Sequence, residues 1–193
     1  MIYSRRRLPH WVPDNVPVFV TWRLAGTLPR IAGKAFVAQD RALDLATSGP
    51  RWLNDERVAS MIAEALHYGE STRRLYDLHA YVIMPNHVHV VWQPRISMPR
   101  ILQWLKGVTA NRAKNILHLS EKAFWQDESY DHWVRSASEL QRIIRYVEWN
   151  PVKAGLAKSI EAWPWSSARF PGLSGSHRSG ADGLAVCEFN KSK

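Results

Sequence analysis

Met84-Pro-Asn-His-Val-His-Val-Val-Trp92 decides how this chain folds. Pro85-Asn86 is a turn signal between two apolar runs, 74–84 and 87–93, and a turn that short joins antiparallel strands. Side chains alternate across a strand, so residues two apart share a face. His87 and His89 therefore leave one face while Val88 and Val90 pack on the other. Two imidazoles side by side on a strand have the geometry of a two-histidine metal site. If buried they need partners, because an unpaired polar ring is costly in a core.

Working outward, Val16-Pro-Val-Phe-Val-Thr-Trp-Arg-Leu24 is β-rich and predicts a first strand. Helical spacing predicts helices over 34–48, 54–69, 98–118 and 138–150. Val58, Ile62, Ala65 and Leu66 mark the buried face of the second, with Asn54 as its expected cap. Ile101, Leu102, Leu105, Val108 and Ile116 form the apolar side of the third. Residues 124–135 are aromatic-rich and predict a fourth strand. Ser138 and Gln141 have capping-box spacing at the head of the last helix. The hairpin argues against a doubly wound parallel sheet. It favours an α+β fold, an antiparallel sheet with helices packed mainly on one face. Residues 1–170 read as one domain, and the Gly/Ser-rich stretch 171–193 as a mobile tail.

The chain has 193 residues, 46% of them hydrophobic, enough for a proper core. Lys and Arg total 26 against 17 Asp and Glu, a net charge of +9, which points to a polyanionic partner such as nucleic acid. A single cysteine, Cys187, excludes a disulfide framework and a Cys-based zinc site within one chain. No apolar run approaches the roughly 20 residues that span a bilayer, and no signal-peptide pattern opens the chain. A cytoplasmic protein without membrane contact is expected. No Walker-type glycine loop occurs, so ATP is not expected as a partner. Most of the ten tryptophans read as core packing, with base stacking as the alternative.

Successive residues of a helix step by about 100°, which sets Tyr146 and Asn150 roughly 40° apart. They lie on the flank of a stripe made by Leu140, Ile143, Ile144 and Val147. Arg142, Arg145 and Trp149 take the opposite side. A tyrosine at such a border can pack by its ring while its hydroxyl reaches a cleft. The lone histidines His79 and His118 read as satisfied core residues. His-Val-His-Val-Val also approaches the histidine-triad hydrolase pattern, but Val91 stands where the third histidine belongs. A zinc deaminase is excluded, since there is no Cys pair and no Glu two residues after the first histidine.

Four segments occur in order: Pro85-Asn-His-Val-His89, Tyr130-Asp-His-Trp-Val-Arg135, Arg145-Tyr-Val-Glu-Trp-Asn-Pro-Val-Lys-Ala-Gly-Leu156 and Trp163-Pro-Trp-Ser-Ser167. This ordered set resembles the REP-associated tyrosine transposases, relatives of the single-strand transposases built on the HUH nuclease fold. The resemblance implies a ferredoxin-like antiparallel sheet with the histidines on a central strand and a tyrosine on a later helix facing them. It implies His87 and His89 as metal ligands, Asn150 as the residue completing the metal site, and Tyr146 as nucleophile, with Tyr130 as the rival. It implies Mg²⁺ or Mn²⁺ as cofactor and single-stranded DNA with REP-like hairpins as partner. The expected reaction is cleavage and rejoining through a 5′-phosphotyrosine intermediate, by a monomer or homodimer. Candidate DNA contacts are Arg5, Arg6, Arg7, Lys106, Arg112, Arg135 and Lys153. The competing readings are a catalytically silent nucleic-acid-binding protein on the same fold and a histidine-triad-like phosphohydrolase.

Overall fold

The computed structural model describes residues 16–27, 42–44, 49–120 and 123–169. Four strands, β1 (Val18–Arg23), β2 (Tyr76–Ile83), β3 (His87–Pro94) and β4 (Tyr130–Trp133), form one antiparallel sheet in the order β2-β3-β1-β4. Three long helices are described, α1 (Glu56–Ser71), α2 (Met98–Leu117) and α3 (Ala137–Lys153). Up to β4 the order is β-α-β-β-α-β. Each helix-bearing connection joins two strands with one other strand between them, which is the split βαβ arrangement of ferredoxin-like folds. The α+β antiparallel reading is thus the observed architecture. Of the expected helix over 34–48 only 42–44 are described, and these are helical. The tail 171–193 lies outside the described residues.

The two-residue alternation sorts the sheet into two faces. Val18, Val20, Trp22, Tyr81, Ile83, Val88, Val90 and Trp92 join one core with the apolar stripes of α1 and α2. Phe19, Ala80, Val82 and Val91 join a second with Ile143 and Val147 of α3. Two helices therefore cover one face and α3 covers the other. Because β3 is central and covered on both sides, every residue from His87 to Trp92 is buried. Trp22 and Trp92 stack inside the first core at 6.1 Å between ring centroids, and Tyr76 stacks on Trp92 at 4.6 Å, so these tryptophans are structural.

Several local expectations shift. Asp55, not Asn54, caps α1 by accepting from the Arg57 N–H, since Asn54 closes a 3-10 turn (Trp52–Asn54). Ser136 caps α3 by accepting from the Glu139 N–H at 3.1 Å, displacing the Ser138/Gln141 pair. Glu139 wins because its carboxylate accepts from the Arg135 N–H and pairs with His132 at 3.0 Å, and an acid suits the helix N-terminus. α3 runs through Pro151 to Lys153, because a proline this near the end deprives the helix of only one N–H. The fourth strand shortens to four residues, while Trp125 bridges to Leu24. His118 is no core residue: it is exposed and ends α2 in a left-handed conformation, φ 54°. Trp163-Pro-Trp-Ser-Ser167 closes the outer edge of β2. The Ile83 N–H donates to the Trp165 carbonyl at 2.8 Å, the Tyr81 N–H to Ser167 Oγ at 3.1 Å, and Trp163 Nε1 to the Ile83 carbonyl at 3.0 Å. Exposed strand edges invite pairing with other chains, and this segment removes one.

Candidate functional site

His87 and His89 leave the α3 side of β3 together, both fully buried, with their Nε2 atoms 3.0 Å apart. Their outer nitrogens are held from behind. His87 Nδ1 lies 2.7 Å from Asn86 Oδ1, and Asn86 Nδ2 donates to the Leu43 carbonyl at 3.0 Å. The Asn86 oxygen is therefore an acceptor, His87 Nδ1 must carry the proton, and a neutral His87 turns a lone pair inward at Nε2. His89 Nδ1 lies 2.7 Å from Thr21 Oγ1, across the β1–β3 pairing that sets Thr21 opposite His89. A hydroxyl both donates and accepts, so His89 has two states. With its proton on Nε2 it hydrogen-bonds His87. With its proton on Nδ1 it faces His87 lone pair to lone pair, an arrangement only a cation makes favourable. Two ligands at right angles, each about 2.1 Å from one ion, stand about 3 Å apart, which is the observed spacing. A neighbour on the far side of each imidazole is the usual support for a metal-binding histidine.

α3 brings Tyr146 over this pair. Its ring centroid is 6.0 Å from that of His89 and 6.2 Å, edge-on, from that of Phe19. The Lys153 ammonium stands 5.3 Å from the centre of the Tyr146 ring. Lys153 Nζ also pairs with Asp44 Oδ2 at 3.3 Å, and Asp44 Oδ1 lies 4.0 Å from His87 Nε2. The side chains thus form a circuit from Tyr146 through Lys153, Asp44 and His87 to His89 and back. Asn150 is fully buried one turn beyond Tyr146, and neither atom of its amide has a hydrogen-bond partner. An orphaned buried amide is a reservoir for a ligand or ion. Among the described residues no three of His, Cys, Asp and Glu are grouped to hold a metal.

Tyr130 also lies near this face, on edge strand β4 opposite Thr21, with its ring 6.3 Å from Phe19. Burial, aided by the neighbouring Asp131, raises its hydroxyl above the usual tyrosine range. Of the expected DNA contacts, Arg5, Arg6 and Arg7 lie outside the described residues. Lys153 is at the site, and Arg135 is exposed beyond β4 with its guanidinium 4.9 Å over the Trp133 ring. Lys106 and Arg112 are on α2, across the sheet from the histidines. Lys106 donates to the carbonyls of Gln126 and Asp127, and Arg112 pairs with Glu64 of α1 at 3.7 Å. Val91, where a histidine triad needs its third histidine, is fully buried in the core under α3. Sequence reading missed Asp44, Thr21 and Asn86 as neighbours of the pair. The one signal for Asp44 was an acid inside the apolar run Ala42-Leu-Asp-Leu-Ala46. Among the described residues no helix is long and apolar enough to cross a membrane.

A family model described as "Transposase IS200 like" matches residues 51–150, more than half of the chain. An Escherichia coli (strain K12) protein named as a REP-associated tyrosine transposase is 27% identical over 95 residues, 49% of this chain and 55% of that protein. A Haemophilus influenzae relative is 26% identical over 103 residues, 48% of this chain and 58% of its own. The chain thus covers little more than half the length of these curated relatives. A solved structure of a REP-associated tyrosine transposase bound to a REP hairpin superposes with a TM-score of 0.63. At 18% identity it covers all of this chain and 99% of the other, a likeness of fold.

Proposed function

The chain belongs to the IS200-like transposase family, and from that membership we propose that it cuts single-stranded DNA beside REP-type hairpins and rejoins it through a tyrosine. The observation that carries this reading is the Tyr146 ring 6.0 Å from His89, on a helix laid over the buried histidine pair. The relative named as a REP-associated tyrosine transposase and the hairpin carried by the structural neighbour support the choice of substrate.

In this reading His87, His89 and the Asn150 amide oxygen hold Mg²⁺ or Mn²⁺, the imidazoles favouring the softer Mn²⁺. Such an ion, when bound, polarises the scissile phosphate and offsets the charge developing on it. Asn86 and Thr21 keep both rings aimed inward. Tyr146 Oη attacks phosphorus: the O–P bond forms, the bond to the 3′ oxygen breaks, and the phenolic proton passes to solvent while the leaving oxygen gains one. A phenol titrates near 10 in water, so the attacking oxygen needs help to ionise. The Lys153 ammonium, 5.3 Å from the centre of the Tyr146 ring, supplies positive charge on this side of the site. The products are a 5′-phosphotyrosine and a free 3′-hydroxyl. A 3′-hydroxyl attacking that linkage reverses the step, and since phosphodiester energy is conserved no nucleoside triphosphate is consumed.

The test is incubation with hairpin-flanked single-stranded DNA and Mn²⁺, followed by denaturing electrophoresis. A protein–DNA species that survives denaturation and disappears with a chelator is the expected result, with non-covalent affinity falling steeply as salt rises. Binding without any adduct would make the chain a silent DNA-binding relative. Equal affinity for plain duplex would remove the hairpin from the account.

A further inference from the structure

The outer side of α3 is not used by the site just described. Arg142, Arg145 and Trp149 fall at i, i+3 and i+7, one stripe about 10 Å long, and all three are exposed. Trp149 is 46% exposed, an unusual place for the largest apolar side chain. The stripe carries no acid. Of the two acids of this helix, Glu148 is buried and bonded by Ser167 Oγ, and Glu139, one turn before Arg142 and close enough to feel its charge, is held at the cap by the Arg135 N–H and His132. Past Trp149 the stripe leads to Lys153, which belongs to the site and pairs there with Asp44 at 3.3 Å. Tyr146 lies about 40° around the helix from Arg142, between the exposed stripe and the buried one. A strand laid along the stripe therefore passes the rim where the tyrosine sits.

Resting on the transposase reading, we infer that Arg142, Arg145 and Trp149 form the track for the single-stranded segment leading to Tyr146. Two guanidinium groups without an acid among them suit a line of phosphates. An exposed indole suits an unstacked base, which a paired duplex does not offer. Together they select a single strand over the hairpin stem, so this surface would read the flank while other contacts hold the stem.

The test compares an oligo(dT)-flanked hairpin with the same hairpin blunt-ended, both fluorescently labelled, in anisotropy titrations with the full chain. Trp149→Ala is expected to weaken flanked-hairpin binding about tenfold and leave blunt-hairpin binding unchanged, with Trp149→Phe recovering most of the loss. Arg142→Gln and Arg145→Gln should each lower the salt slope for the flanked probe by about one. Equal losses on both probes would assign the stripe to the stem. Unchanged affinity on both would hand it to another partner, such as an acidic protein segment. Either result overturns the track while leaving the enzyme reading intact. A wild-type chain that binds neither probe would instead fail the transposase reading itself, and the track with it.

Discussion

His87 has a single neutral form in this fold, because the Asn86 amide, itself fixed by the Leu43 carbonyl, accepts only from a protonated Nδ1. His89 is the adjustable partner, since the Thr21 hydroxyl serves either proton position. Thr21→Val keeps the shape and removes that hydroxyl. Mn²⁺ affinity in calorimetric titration should fall about 10- to 100-fold. Unchanged affinity would mean that Thr21 does not orient His89 for an ion. His79 gives a second residue-scale prediction. It is the extra residue at the β2 bulge between Leu78 and Ala80, its Nε2 is buried without a partner, and burial holds its pKa below the ordinary value despite Asp77 and Glu70. The folded chain then binds this proton less readily than the unfolded one. Stability should be full above about pH 6.5 and decline as pH falls through the lowered folded value. Urea melts of His79→Leu should lose part of that acid-side decline, and an unaltered pH dependence would show that His79 is not its source. The histidine pair was legible because strand alternation is local. Asp44 and Thr21 were not, because only tertiary folding brings them to histidines 43 and 68 positions away.

α1 and β2 meet at a position where only glycine fits. A Cβ on Gly69 would collide with the Tyr76 hydroxyl, which donates to the Leu66 carbonyl at 2.8 Å, and would press on Trp104. Gly69→Ala should cost about 1–3 kcal/mol in denaturant melts through overpacking. The cost should shrink in a Tyr76→Phe background, where the nearest clashing atom is gone, and strictly additive penalties would contradict this packing account. At this scale the sequence reads unevenly. The buried face of α1 follows from its period. The cap of α3 does not, because Ser136 and Ser138 both stand three residues before an acceptable partner, Glu139 and Gln141, and the choice depends on His132 in β4. Nor does the Trp163–Ser167 segment announce that it covers the β2 edge, since its hydrogen bonds run to residues about 80 positions earlier.

Across the whole molecule the sheet divides labour between its faces. The α1–α2 side holds the larger apolar cluster, with Trp22, Tyr76 and Trp92, while the α3 side holds a smaller one around the histidines and Tyr146. Changes on the α3 side can therefore remove chemistry while the larger core keeps the chain folded. The antiparallel order was readable from the hairpin at Pro85-Asn86. The second covered face was not, because a helix after the last strand has no local mark of which side it takes. The most direct measurement is adduct formation on hairpin-flanked single-stranded DNA with Mn²⁺, compared between Tyr146→Phe and Tyr130→Phe. Tyr146→Phe removes one oxygen, so DNA binding should persist while the covalent species vanishes, and Tyr130→Phe should still form it. An adduct that survives in Tyr146→Phe and is lost in Tyr130→Phe would move the nucleophile to β4 and contradict the account.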